Sequence, residues 1–316
     1  MVGEIRLAAD DVRDSSAHAQ DSSWLLLRKP VTRRDFLSLA AKAIAGTSLG
    51  FALGPFLAAA HCTVTRTSVT LRGLPREFDG FRIALLTDLH HSEWIPRSYL
   101  RRVVERTNLQ DVDLIALTGD LIHYGRSWIP GCVSELSRLR ARRGVVSVLG
   151  NHDHADHAAE PLRHALRSAG IYDLTNEGIH LRRRGAEFRI GGVGDLWRDR
   201  QRPRKALSGT MSAESALLLS HNPDYAETLR DERVGLMLSG HTHGGQVILP
   251  GIGAPHLPSR YGQKYREGLC QGPVVRVYVS RGAGSTFPPM RIACPPEIAV
   301  ITLRVASMKQ DTGGRF

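Results

Sequence analysis

Behind residue 80 the chain alternates two patterns of apolar and polar positions. FRIALLTDLH, VDLIALTGDLI, GVVSVLGNHD, ALLLSHNPD and VGLMLSGHTH are short, nearly continuous runs of Val, Ile, Leu and Ala. Such runs suit strands covered on both faces. RSYLRRVVERTNLQ, CVSELSRLRA, PLRHALRSAG and DYAETLRDE lie between or after them and repeat their apolar positions at helical spacing. Strand and helix in alternation predict a largely parallel sheet flanked by helices, an α/β fold. IHLRRRGAEFRIGGVGD reads as a hairpin turning at Gly185, and VVRVYVSRGAG and PEIAVITLRV read as late strands, suited to a second sheet packed on the first. No internal repeat or Ser/Gly linker interrupts residues 61–316, which predicts one domain there.

All five buried runs end in residues that carry chemistry: Asp88 and His90, then Asp120, then Asn151 and His152, then His221, then His241 and His243. Ligands of parallel α/β sheets gather at the carboxyl ends of strands, so these residues are expected along one edge. An Asp after a strand is ordinarily a turn former or helix cap, and a single His is ordinarily structural. Five consecutive strand ends of this composition need another reason. Leaving His152 aside, the set holds two carboxylates, one amide and four imidazoles. Seven oxygen and nitrogen donors exceed the need of one tetrahedral zinc and suit two divalent ions sharing a carboxylate. Mixed ligation of this kind accepts Mn, Fe, Zn or Co. A paired-ion site clamps the attacking and leaving oxygens of a phosphoryl displacement, with a hydroxide shared between the ions as nucleophile. Gly119, Gly150, Gly240, Gly244 and Gly245 beside these residues permit tight turns and close approach.

TDLH, TGD, GNHD, SH and GHTH, in this order, resemble the five blocks of the calcineurin-like metallophosphoesterases. The resemblance runs from about Phe81 to Leu303. GHTHGGQV followed by VYVSRGAG and RIACPPEIAVITL is similar to one exported bacterial branch, the YkuE/YaeI-like one. The resemblance implies a four-layer α/β/β/α sandwich of two mixed sheets flanked by helices. It also implies that Asp88, His90 and His243 bind one ion, that Asn151, His221 and His241 bind the other, and that Asp120 bridges them. His152 would stand beside the phosphate and protonate the leaving alkoxide or stabilise the transition state. The implied activity is hydrolysis of phosphomonoesters or phosphodiesters. Hydrolysis of the pyrophosphate in a nucleotide-linked acyl-glucosamine is the alternative, and a non-catalytic scaffold of the same fold is disfavoured because no ligand is missing. One position departs from the pattern: His123 stands where many relatives carry an acid that steers the catalytic histidine, so another carboxylate must orient His152 or its role is weaker. His91, His154 and His157 lie near the motifs and are candidates by proximity alone. His123, His164 and His180 read as structural or surface residues, and Arg281 and Arg291 as late basic residues that either reach a phosphate or, the simpler reading, are surface arginines.

Residues 1–60 change the setting. After a polar stretch comes VTRRDFLSLAAKAIAGTSLGFALGPFLAAAHC, in which Thr-Arg-Arg-Asp-Phe-Leu, an apolar run and Ala-x-Ala resemble a twin-arginine export signal. Leu37 to Ala60 is also about long enough to remain as a membrane anchor. The expected partners are therefore a phosphate-ester substrate and the twin-arginine machinery, with the envelope or a membrane surface as location. The net charge of +11 suits anionic partners. Aromatic residues make up only 6% and are not interleaved with basic ones, which argues against a specific nucleic-acid binder. Cys62, Cys132, Cys270 and Cys294 form no CxxC pair, so the spacing argues against a thiolate metal site, and their even number leaves disulfides open in an oxidising compartment.

Overall fold

A computed structural model of the chain describes residue 59 and residues 61–306 apart from 212 and 213. The expected export signal lies outside the described residues. Among the described residues, twelve strands form two sheets of six. The first is built of β1 (Thr63–Leu71), β2 (Arg82–Leu86), β3 (Leu114–Leu117), β4 (Val145–Ser147), β5 (Ile171–Asp173) and β12 (Glu297–Val305), in the order β1-β12-β2-β3-β4-β5. The second is built of β6 (Gly178–Arg183), β7 (Ala186–Gly192), β8 (Ala216–Leu219), β9 (Val234–Ser239), β10 (Gly268–Gln271) and β11 (Arg276–Val279), in the order β10-β11-β9-β8-β7-β6. Both sheets are mixed. In the first, β2 to β5 run parallel and β12 runs antiparallel to β2. In the second, β7, β8, β9 and β11 are parallel, with β6 and β10 antiparallel at the edges.

The alternation of side chains along each strand explains the layering. Ile83 and Leu85 of β2, Leu114 and Ala116 of β3, and Val146 of β4 face Phe188, Ile190, Leu217, Leu219, Leu236 and Leu238 of the second sheet. Their neighbours Ala84, Leu86, Ile115, Leu117 and Val145 face the opposite way. There they meet α1 (Arg97–Asn108), α2 (Ile129–Leu136) and α3 (Ala159–Ser168) through Leu100, Val103, Leu136, Leu162 and Leu166. Residues buried on both faces are why these strands read as continuous apolar runs. The outer face of the second sheet is covered by Tyr225, Ala226, Leu229 and Tyr265, together with α4 (Pro203–Ala206).

Three expectations are corrected, and one strand was not expected. The strand ends predicted to lie along one parallel sheet come from two, with β8 and β9 in the second. PEIAVITLRV is not part of the second sheet: it forms β12 between β1 and β2 of the first. DYAETLRDE makes only a single 3-10 turn, Pro223–Glu227, because Asn222 caps Asp224 and the chain must return to β9 within a few residues. β1, TVTRTSVTL, has no counterpart in the sequence reading, because its Thr, Ser and Arg positions hide an edge strand covered on one side only. The Gly185 hairpin is present as β6–β7, with Gly185 in the left-handed region that tight reversal requires.

Candidate metal centre

The parallel strands of both sheets point their carboxyl ends to the same edge, and the sheets meet there. Beyond β2 and β3 the ladder continues, with Asp88 N–H donating to Gly119 O at 2.9 Å and His90 N–H to Asp120 O at 3.0 Å. From the other sheet Gly240 N–H donates to His221 O at 3.0 Å. Asp88, His90, Asp120, His241 and His243 all adopt positive φ, between 49° and 70°. Non-glycine residues avoid this region at a cost of about 1–3 kcal/mol each, so five together mark a site where strain is retained for function. Gly150 and Gly240 let the backbones approach. A Cβ on Gly150 would collide with Asp120 Oδ1, and one on Gly240 with Asp88 Oδ2.

Two nests of donors result, and one carboxylate oxygen belongs to both. In the first, His90 Nε2 and His243 Nε2 lie 3.0 Å apart, and Asp88 Oδ1 is 3.4 Å from His243 Nε2. In the second, His221 Nε2 lies 3.1 Å from both His241 Nδ1 and Asn151 Oδ1. Asp120 Oδ2 stands between them, 3.5 Å from His90 Nε2 and 3.3 Å from His221 Nε2. Donors held about 2.1 Å from an ion lie about 3.0–3.4 Å from each other. The spacings therefore fit metal ligation, and among the described residues Asp88–His90–His243 and Asp120–His221–His241 converge as such groups. The orientation of each donor is fixed from behind. His221 Nδ1 pairs with Thr118 O at 2.8 Å, Asp88 Oδ2 accepts from Thr87 Oγ1 at 2.8 Å, and both Asp88 oxygens accept from His241 N–H.

The electrostatics of the protein groups alone favour a cation. Burial alone would raise the Asp120 carboxyl, but the rings of His221, His152 and His90 hold it well below the usual carboxylate range. Burial opposes charge on His221 too, yet Asp120, Asp88 and Asp195 push that ring up to about 10. Burial drives His90 and His243 well below their ordinary value, and burial with the nearby His221 takes His241 down to about 3. Burial raises Asp88 to about 6. The neutral rings are ready ligands.

His152 sits at the mouth of this group. Its Nε2 is 4.0 Å from Asp120 Oδ2, its side chain is 15% exposed, and its backbone N–H donates to Asp120 Oδ1 at 2.8 Å. The absence of an acid at position 123 has a structural answer. His152 Nδ1 pairs with the backbone carbonyl of His123 at 3.1 Å, so a main-chain oxygen orients the ring where a carboxylate was expected. His123 is not a surface residue either; its Nδ1 is 3.3 Å from His90 Nδ1, and it groups with His90 and His152. Asp153 is buried and accepts from the N–H groups of Gly150, Leu121 and Ile122, which locks the two ligand-bearing turns together.

Other residues fall outside the centre or enter it unannounced. His91 is buried with Nδ1 on Ile95 O and its ring against Trp128, and His157 is exposed; neither these nor His154 joins a ligand group. Arg291 is a correction: it is only 1% exposed. Its guanidinium donates to the carbonyls of His243, Arg281 and Gly284 and to Ser285 Oγ, behind the first nest. Arg281, half-buried, pairs with Glu267 and Glu297. Tyr124 stacks on His152 at 4.4 Å, and the ring of Trp197 meets His241 edge-on at 4.3 Å. No periodicity flags these aromatics, since both lie in loops, although both follow ligand-bearing or parallel strand ends.

A sandwich of two mixed sheets that delivers a divalent metal centre to its shared carboxyl edge is the framework of a metal-dependent phosphoester hydrolase. The chain belongs to the calcineurin-like phosphoesterase family, which it matches over residues 81–245. It is 32% identical to the uncharacterized metallophosphoesterase YkuE of Bacillus subtilis over 87% of this chain and 99% of that protein. It is also 32% identical to phosphodiesterase YaeI of Escherichia coli, over 86% and 99% respectively. Among solved structures it is similar to a dimetal phosphatase from Danio rerio, with a TM-score of 0.42 and 12% identity, over 71% of this chain and 93% of that one.

Proposed function

We propose that the protein hydrolyses phosphodiesters or phosphomonoesters at a two-ion centre. The observation that carries this is the position of Asp120 Oδ2, within 3.5 Å of His90 in one nest and 3.3 Å of His221 in the other. Asp88, His90 and His243 would hold one ion, Asn151, His221 and His241 the second, and Asp120 both. Two divalent ions there would supply an activated water as nucleophile and positive charge for the phosphoryl oxygens. The chain itself supplies the rest. The His123 carbonyl fixes the Nδ1–H tautomer of His152, which leaves Nε2 facing the centre to meet the phosphate or hand a proton to the leaving oxygen. The rigid turns around Asp153 hold Asp120 and Asn151 in register. The name of the relative YaeI supports a diester preference. We further propose, from residues 31–62 of the sequence, export by the twin-arginine route and residence in the periplasm or at the envelope membrane. Hydrolysis of p-nitrophenyl phosphate and of its bis-ester, measured after chelation and again after Mn²⁺ is restored, tests the reading. Activity should vanish and return; no turnover of either ester at full metal occupancy would overturn it.

A further inference from the structure

The edge that carries the metal centre also carries exposed apolar side chains. Trp94, on the loop after β2, is 45% exposed, and it packs against Phe287 on the loop after β11. Leu249 and Ile252 tip the turn after His243, with Ile252 68% exposed, and Trp197 tips the loop after β7. These loops all leave the carboxyl ends of strands that are parallel to the ligand-bearing ones or are those strands themselves. The opposite edge also exposes Leu109 and Met211, but its arginines are paired with acids. Arg142 is paired there with Asp111 and Asp113, and Arg304 with Asp79.

The path of the chain adds an independent observation. β1 runs parallel to β12 with Thr63 opposite Glu297, and β12 runs antiparallel to β2 with Ala299 opposite Leu85. Thr63 therefore starts at the catalytic edge. Its N–H donates to Pro296 O at 2.7 Å, and Glu297 N–H donates to Gly282 O at 2.8 Å. An added Cβ on Gly282 would touch Asp88 Cβ. The apolar sequence that ends at Ala60 thus joins the fold beside the metal centre, not at the far side of the sandwich. Arg198 and Arg260 stand on loops of this edge, and among the described residues neither is in an ion pair.

Resting on the phosphoesterase reading above, we propose that this edge docks on a phospholipid bilayer and that the substrate is a phosphate ester carried by a lipid. Tryptophan and aliphatic side chains on a loop rim partition into the headgroup region, and unpaired arginines are drawn to anionic lipid. Docking there places the centre at the level of lipid phosphates and screens it from soluble esters. A protein partner on the same rim is the competing occupant.

The test uses the full chain and vesicles of phosphatidylglycerol and phosphatidylethanolamine with brominated acyl chains. One protein keeps Trp94 alone, with Trp24, Trp128 and Trp197 changed to Phe; a second removes Trp94 as well and carries L109W, at the opposite edge. Bromine should quench the fluorescence of Trp94 and spare the L109W protein. Equal quenching of both, or none of Trp94, overturns the orientation. In a second measurement, Leu249→Glu with Ile252→Glu should lower hydrolysis of phosphatidic acid in vesicles by about tenfold, as loss of two buried apolar contacts implies. Hydrolysis of soluble p-nitrophenyl phosphate, measured without vesicles, should not change. An equal fall on both substrates overturns the proposal. So does a wild-type protein that hydrolyses p-nitrophenyl phosphate but no phosphate ester in vesicles. Loss of the soluble activity in the metal-loaded wild type would instead count against the phosphoesterase reading, and Trp94 quenching would still decide docking.

Discussion

His152 is held at one nitrogen and aimed with the other, and this division is what its proposed role requires. The His123 carbonyl takes Nδ1, Tyr124 stacks on the ring, and Nε2 faces Asp120 without belonging to the two ligand nests. His152→Ala should therefore lower kcat by roughly 10²- to 10³-fold, the scale of a lost acid, and leave metal content unchanged. Steady-state kinetics and elemental analysis of the same sample check this, and loss of metal would move His152 into the ligand set. His221 predicts a different signal. In the metal-free site its pKa of about 10 keeps the ring charged at pH 7, while a ligand ring must be neutral at Nε2. Binding must then release that proton. His90, His241 and His243 are already neutral at pH 7 and release none. Below pH 6 Asp88 also takes up a proton, so affinity should fall more steeply there. Calorimetric titration in buffers of different ionisation enthalpy should show at least one proton released at pH 7, that of His221, with any from ionisation of a metal-bound water added to it. No dependence on buffer would contradict the charged His221. The residues that converge at the edge were legible because their order along the chain survives in the sequence. The carbonyl that orients His152 was not, because a main-chain oxygen has no residue identity to read.

At the scale of elements, the loop from Arg281 to Cys294 shows what periodicity could and could not reveal. The β-runs were found because residues covered on both faces lose alternation, and α1, α2 and α3 because one face of each meets the sheet. Nothing in a polar, glycine-rich loop declares that one arginine of it is buried. Arg291 reads as a surface residue by type, yet its guanidinium collects the carbonyls of His243, Arg281 and Gly284. Those groups lie on the turn after β9 and the loop after β11, so one side chain joins two elements behind His243. Arg291→Met would take from the Arg281 and Gly284 carbonyls their guanidinium donor, at about 1–3 kcal/mol each, while His243 O keeps the Gln246 N–H. Urea denaturation of the metal-free variant should show a loss of about 3 kcal/mol or more. Arg291→Lys should recover only part of it, because an ammonium cannot span the same acceptors. A change within about 0.5 kcal/mol, the ordinary surface effect, would remove Arg291 from the frame of the site.

At the scale of the whole molecule, the proposed ligands come from both halves of the sandwich: Asp88, His90, Asp120 and Asn151 follow strands of the first sheet, and His221, His241 and His243 follow strands of the second. The sequence suggested a single edge of strand ends, and that edge exists, but it is formed by two stacked sheets whose division the pattern did not show. β8 and β9 have the same apolar runs as β2 and β3, so composition could not assign them to separate sheets. The consequence is mechanical. Any ion bound there ties one sheet to the other at the edge where the covering helices begin. Binding to the folded state alone adds about 2.7 kcal/mol for each site when free metal is a hundredfold above Kd. At roughly 2–4 °C per kcal/mol for a domain of this size, chelation should lower Tm by roughly 5–11 °C for each ion removed. Asp120→Ala should abolish most of that difference, since the shared carboxylate serves both nests. Calorimetric scans with and without chelator, on wild type and variant, measure it. Amide exchange should rise on chelation at the carboxyl ends of β2, β3, β8 and β9 together. Exchange confined to one sheet would mean that the metals brace a single sheet and that the sandwich closes without them.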